Sequence, residues 1–303
     1  MAAVNQPEGA PSPRRDAGRK EARPTAARIV LGARLRALRQ ASGVSREDAA
    51  GRIRGSHAKI TRLERGQVGF KERDLEDLLT LYGVLDPAER EECYALARQA
   101  NTPGWWQPYN DVLESWFEPH LGLEEAAALI RTYEVQFLPG LLQTEAYARA
   151  VTRLGYGGWP RARIERLVRL RMERQRLLTR EDPPRLWVVL DEAVLRRPFG
   201  GPDVMREQLE HLLRVMELPQ VSLQIAPFSV GANAAAGTPV TILRFDDPQL
   251  PDKVYLEQLT GAVYLDKRHE VDQYMLIMDR LCTAANPPED TGRFLRHLLG
   301  QYR

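Results

Sequence analysis

The chain has 303 residues, with 43 Lys and Arg against 41 Asp and Glu and 43% hydrophobic residues, the composition of an ordinary globular protein long enough for two domains and needing no covalent staples. It contains no run of about 18 apolar residues and no apolar segment after its N-terminal charges, so the expectation is a cytoplasmic protein without membrane span or signal peptide. Its two cysteines, Cys93 and Cys282, fall in separate helical patterns, and with no CxxC and no clustered histidines neither a metal nor a cofactor is expected.

The charge is unevenly placed. Residues 1–73 hold about 17 Lys and Arg against about 7 Asp and Glu, so a head of roughly +10 sits on a body of about −8. That is the footprint of a protein that touches nucleic acid with one end only. Residues 1–25 have almost no large apolar side chain and read as a disordered basic arm. Its cluster Arg14, Arg15, Arg19, Lys20 and Arg23 is read as a solvating tail ahead of a phosphate contact. Ile29 to Ala41 reads as the first helix, with Leu31, Leu35 and Leu38 on its core face. Ser45 then caps a short helix to Ile53, with Glu47 and Asp48 at its positive end. Arg54 and Gly55 break the period, and Ser56 caps a second helix to Arg65 that Gly66 closes. Ile60 and Leu63 face inward, leaving His57, Ala58, Lys59 and Arg62 on the opposite face to reach base edges. The competing reading, a solvated corner of an all-helical domain, is weakened by the charge placement.

The stretch from Gly43 to Gly66, GVSREDAAGRIRGSHAKITRLERG, resembles the helix-turn-helix of phage Cro and lambda-type repressors, known in bacteria as the xenobiotic-response-element type. The resemblance implies a recognition helix opening at Ser56, base contacts from His57, Ala58, Lys59 and Arg62, and phosphate contacts near Ser45 and Arg46. It also implies that Glu64, within Arg62-Leu63-Glu64-Arg65-Gly66, turns inward to pair with Arg39. Arg54 stands where that family usually has glycine and Ala49 where it has a larger aliphatic residue, so Gly55 is expected to take over the turn.

Beyond Gly66, a helix at Arg73 to Tyr82 closes the small core with Leu75, Leu78, Leu79 and Tyr82, and Gly83 stops it. Asp86-Pro87-Ala88-Glu89 opens a linker helix to Asn101, with Glu89 placed for a reciprocal capping bond. Pro103-Gly104-Trp105-Trp106 marks a boundary, giving a helix-turn-helix domain at 26–101 and a regulatory or dimerisation domain at 102–303. Trp105, Trp106, Tyr109, Trp116 and Phe117 concentrate aromatic area, core by default and otherwise the candidate partner or dimer surface. Helical patterns follow at Glu124 to Glu134, Thr144 to Gly155 and Pro160 to Arg180, then at Pro202 to Met216, Arg268 to Ala284 and Gly292 to Leu299. Four strands are expected: Leu186 to Leu190, Val221 to Ala226, Val240 to Phe245 and Val254 to Leu259. The first two are joined by a helical crossover and should be parallel, the later ones antiparallel. The fold class expected is mainly α: a five-helix helix-turn-helix domain plus an α+β domain with a small mixed sheet of about four strands.

A second resemblance covers much of the remainder. Trp105-Trp106, the run from Phe137 to Ala150 (FLPGLLQTEAYARA), Arg171-Met172-Glu173-Arg174-Gln175 and Val254-Tyr255-Leu256-Glu257 look like the C-terminal domain of a large group of actinomycete regulators. That group couples a helix-turn-helix head to this domain and is often paired with a small partner protein, in developmental, antibiotic-biosynthesis or antitoxin-like arrangements. The resulting expectation is a sequence-specific transcription regulator, a homodimer on a pseudo-palindromic operator in double-stranded DNA. Its C-terminal domain would sense a small partner protein or a small-molecule effector. The alternative is an antitoxin-like adaptor that binds DNA for autoregulation. An enzyme is not expected, since no Gly-rich phosphate loop follows a strand and no GxSxG or HExxH occurs. The small-residue loop from Ser229 to Gly237 is read as a mobile surface loop.

Overall fold

The computed structural model describes residues 24–231, 235, 237–248 and 250–302. The expected arm, except for Pro24 and Thr25, lies outside the described residues, as do parts of the 229–237 loop. The head consists of α1 (Pro24–Ala41), α2 (Arg46–Arg52), α3 (His57–Glu64), α4 (Glu72–Leu81) and α5 (Pro87–Ala100). Side chains at the helix starts take up amides that the helices leave open. Ser45 accepts from the amide of Asp48, Ser56 from that of Lys59 and Asp86 from that of Ala88. Leu31 and Leu35, Ile60 and Leu63, Leu75, Leu78 and Leu79, and Cys93 and Ala97 meet in one buried core. The fifth helix therefore belongs to the head. Glu89 does not close the expected reciprocal cap; it sits with Glu92 on Arg34 of α1, which ties α5 back to the first helix. Asn101 finishes α5 by donating to the Phe70 carbonyl at 2.6 Å and accepting from the Phe70 amide at 3.0 Å. That bidentate clasp fixes the loop leaving α3.

The body follows in the order α6 (Glu118–Ala126), β1 (Leu129–Glu134), α7 (Glu145–Gly155), α8 (Arg161–Arg174), β2 (Arg185–Asp191), α9 (Glu192–Arg196), α10 (Pro202–Val215), β3 (Val221–Ala226), β4 (Val240–Arg244), β5 (Lys253–Gln258), β6 (Gly261–Leu265), α11 (Arg268–Ala284) and α12 (Pro288–Leu299). Its sheet has six strands in the order β3-β2-β1-β4-β5-β6, two more than the sequence suggested. β1, β2 and β3 are parallel, and β4, β5 and β6 join as antiparallel neighbours. The expected crossover α10 does connect a parallel pair. The expected helix at Glu124 to Glu134 is overturned: Ala127 turns the backbone to φ −65°, ψ 141°, and the residues from Leu129 form the strand β1. Ala126-Ala127-Ala128 suits a helix, but Ile130 to Tyr133 are buried on both faces of the sheet, which removes the alternation that marks a strand. The expected helix from Pro160 to Arg180 likewise ends at Arg174, passing into a 3-10 turn at Gln175–Leu178.

One face of the sheet, with Leu186, Val188, Leu190, Leu223 and Ile225, packs on Met205, Leu209 and Leu212 of α10 and Leu295 and Leu298 of α12. The other, with Tyr133, Val189, Ile242 and Val254, is covered by Val271, Met278 and Leu281 of α11. Head and body meet along α1, whose Ala26 and Val30 cluster with Ala126 and Leu250. At Gly122 of α6 the approach is so close that a methyl group would overlap the side chain of Thr25.

Beneath α6 lies a buried ion pair. Glu124 accepts from the Arg174 guanidinium at 2.5 and 2.6 Å, with the His120 ring 3.2 Å from the same group. Burial alone would raise the Glu124 carboxyl, but Arg174 and His120 outweigh it and hold the group down to about 2. Because the folded value lies below the ordinary carboxylate range, this pair stabilises fully above that range and its contribution is lost as pH falls toward 2. Arg174→Met should leave the buried Glu124 with only the His120 ring beside it and destabilise by about 3 to 5 kcal/mol. Urea unfolding of the variant at neutral pH checks this, and adding Glu124→Gln should return part of the loss.

Candidate nucleic-acid interface

The turn between α2 and α3 is made by a residue chemistry does not favour. Arg54 takes φ +51°, the only non-glycine with positive φ among the described residues. Gly55 does not take over the turn as expected. Its amide donates to the Ala50 carbonyl at 2.8 Å, and a side chain there would press on Lys59 and Ile53. Gly55 is not among the positive-φ residues, and the arginine carries the left-handed strain.

The second helix of the unit is seated by two further glycines. A methyl group at Gly32 would strike the carbonyls of Leu63 and Glu64, and Gly66, at φ +65°, lies against the backbone of Arg28 and Ile29. In this tight seam Glu64 accepts from Arg39 Nε at 2.5 Å and from Arg39 Nη2 at 3.3 Å. Arg46 Nε adds a third bond at 3.1 Å. Burial would raise the Glu64 carboxyl, but the bonds from Arg39 and Arg46 bring it below its ordinary value. One carboxylate thereby holds α1, α2 and α3 together.

The outward face of α3 places the residues named from sequence in three different situations. Ser56, His57, Ala58 and Arg62 are exposed. Arg62 has no ion-pair partner among the described residues, and His57 Nε2 is 3.7 Å from Glu47. Lys59 is only half exposed and spends its ammonium on Asp74 of α4 at 2.5 Å. Ser45 and Arg46 act mainly within the head: the hydroxyl donates to Asp48 Oδ2 at 2.7 Å and the guanidinium is on Glu64. Arg54 and Arg65, not named as DNA contacts from sequence, are further exposed cations of this unit, without an ion-pair partner among the described residues. Their signal in the sequence is the positive charge itself.

The aromatic set is not an open surface. Trp106 is buried with Leu121 and Leu170, and Trp105, Tyr109 and Phe117 pack around that cluster. Tyr109 donates to Glu173 at 2.7 Å, and the Trp116 carbonyl accepts from Tyr264 at 2.9 Å. The core reading applies because α6 and α8 need this aromatic area to close over one another.

Comparison with known families finds a helix-turn-helix domain at residues 30–93 and a domain of unknown function (DUF5753) at residues 117–297. The second match covers more than half of the chain and nearly the whole body. The chain belongs to the DUF5753 family. No curated protein and no solved structure matches it. In this DUF5753 protein the helix-turn-helix match spans the seam that Glu64 closes, and the six-stranded sheet lies within the family domain. No helix among the described residues is long and apolar enough to cross a membrane.

Arg54→Gly should relieve the left-handed strain and stabilise the head by about 1 kcal/mol, after allowing for the greater freedom of glycine in the unfolded chain. Thermal unfolding of the two proteins measures it.

Proposed function

We propose that this protein is a sequence-specific transcription regulator of the xenobiotic-response-element type, acting in the cytoplasm. In this reading α3 enters the major groove and the DUF5753 body is regulatory, not catalytic. The observation that carries it is the free Arg62 guanidinium on the exposed face of a helix locked from behind by Glu64. A recognition helix needs unspent donors in front and rigid seating behind, and Arg is the side chain that reads guanine through two bonds at once. The basic head supplies the phosphate attraction that brings the face to the groove. Two copies would bind a pseudo-palindromic operator, because one recognition helix spans too few base pairs for useful selectivity. The aromatic cluster is taken up in the body's own core, and this favours the regulator over an adaptor built on that surface.

Arg62→Ala should cost about 1 to 3 kcal/mol on the operator and relax preference at one base position. Lys59→Ala should change operator preference less, since its ammonium already has Asp74 as partner. Footprinting on the DNA upstream of the protein's own gene, followed by titration of both variants against single-base operator changes, tests the pair. Uniform loss across all sequences would make Arg62 a phosphate contact.

Dimeric binding should show as two half-sites one helical turn apart, roughly 10 base pairs. A single unrepeated footprint with a monomeric mass in solution would overturn the dimer.

A further inference from the structure

Open α/β sheets hold ligands beyond the carboxyl ends of their parallel strands, where strand order reverses direction. In this sheet that strand is β1, with β2 and β3 on one side and β4, β5 and β6 on the other. It ends in Glu134, and β5, which runs in the same direction two places away, ends beside Glu257. Arg171 approaches the same edge from α8. Glu257 acts electrostatically on both Glu134 and Arg171, and the Tyr147 hydroxyl is influenced by Glu134 and Arg171 together, so the charges share one small region.

Among the described residues none of the three is ion-paired. Glu134, half-buried, receives one long bond from the Thr132 hydroxyl at 3.4 Å. Glu257, at the exposed rim, accepts from the Tyr255 hydroxyl at 2.8 Å, and Arg171 donates only to the side-chain carbonyl of Gln143 at 2.8 Å. Elsewhere the body closes its deep-set charges: Glu124 on Arg174, Arg131 on Asp279, Lys253 on Asp266 and Glu192 on Arg196. At this edge the chain leaves opposite charges within influence of one another yet out of contact. The cost is visible at Glu134, whose carboxyl is pushed up to about 8 by burial and then by Glu257. Such an arrangement lacks a partner that brings both charges at once, and a guanidinium with open donors matches a carboxylate in particular.

We infer that the carboxyl edge of the sheet, between Glu134, Glu257 and Arg171, is a binding site for a small zwitterion of the free amino acid class. The ammonium lies between the two glutamates and the carboxylate on Arg171. This rests on the reading of the body as regulatory and gives that body its ligand. Sequence segments far apart in the chain supply the site: β1, the turn that carries Gln143, α8 and β5. A ligand here touches elements joined to α6 and so to α1, through Arg174 and the Gly122 seam.

The test is calorimetric titration of the full-length protein with each free L-amino acid at neutral pH. The tightest binder is then compared with its N-acetyl and carboxamide derivatives. Binding by the free amino acid, weakened about tenfold or more when either end is capped, is the expected result. Arg171→Gln and Glu257→Gln should each weaken it similarly. Glu257 is at the rim, where glutamine still accepts from Tyr255, so that variant folds even if Arg171→Gln does not. No binding by any free amino acid, equal binding of both capped derivatives, or unchanged binding in Glu257→Gln overturns the assignment. DNA binding is measured on the same samples. Normal operator binding with no amino acid bound removes this site and leaves the regulator standing, whereas amino acid binding without any operator does the reverse.

Discussion

Three helices of the head converge on a single buried carboxylate. Glu64 stands at the last turn of α3, and its oxygens accept from Arg39 of α1 and Arg46 at the start of α2. A charge this deeply placed is tolerated only with its counter-charges in contact, so the position of α3 is dictated as well as stabilised. Helices slide on apolar seams more readily than on a three-way ionic clasp. The glycines at 32 and 66 are the steric side of the same constraint, since they let the α3 backbone come close enough for the bonds to form. The outward face of α3 inherits its precision from this buried side.

The same logic of charge governs the body, with the opposite outcome at one place. Glu124 and Arg174 satisfy each other beneath α6, and the Glu124 carboxyl falls far below its ordinary value. Glu134, ending a central strand, has no such partner and rises by several pH units. Two carboxylates in one domain are thus driven in opposite directions by whether an arginine is in contact. The first is a stabilising device, and the second lowers the stability of the unliganded fold above the ordinary carboxylate range.

Much of the head was legible in the sequence because its signals are local. Ser45, Ser56 and Asp86 announce helix starts, Gly43, Gly66 and Gly83 stops, and leucine spacing gives the core face. The left-handed residue was misplaced by one position, since Arg54 and not the neighbouring glycine takes the positive φ. In the body, β3 and α11 were readable to the residue because alternation or helical period is intact. β1 was not, because a strand buried on both faces loses its alternation and here follows an alanine run. β6 escaped for a different reason: Gly261-Ala262-Val263-Tyr264-Leu265 is a short edge strand whose identity comes from pairing with β5. The ionic cluster at Glu134, Glu257 and Arg171 had no local signal at all, being assembled from three segments far apart in the chain. The tryptophans were visible, but their burial depended on α8, about 60 residues further on.

The central place of β1 has a consequence for synthesis on the ribosome. Its two neighbours are β2, beginning at Arg185, and β4, ending at Arg244, so the strand emerges long before either partner exists. The core residues of the head all lie within residues 24–101, so they have been translated before the body is made. β1 must wait, with both edges unpaired, until more than half of the remaining chain has been translated. Non-local pairing of this kind folds slowly and leaves sticky intermediates. During that interval the nascent body is the portion that needs chaperone cover, and a pause before β4 would lengthen its exposure.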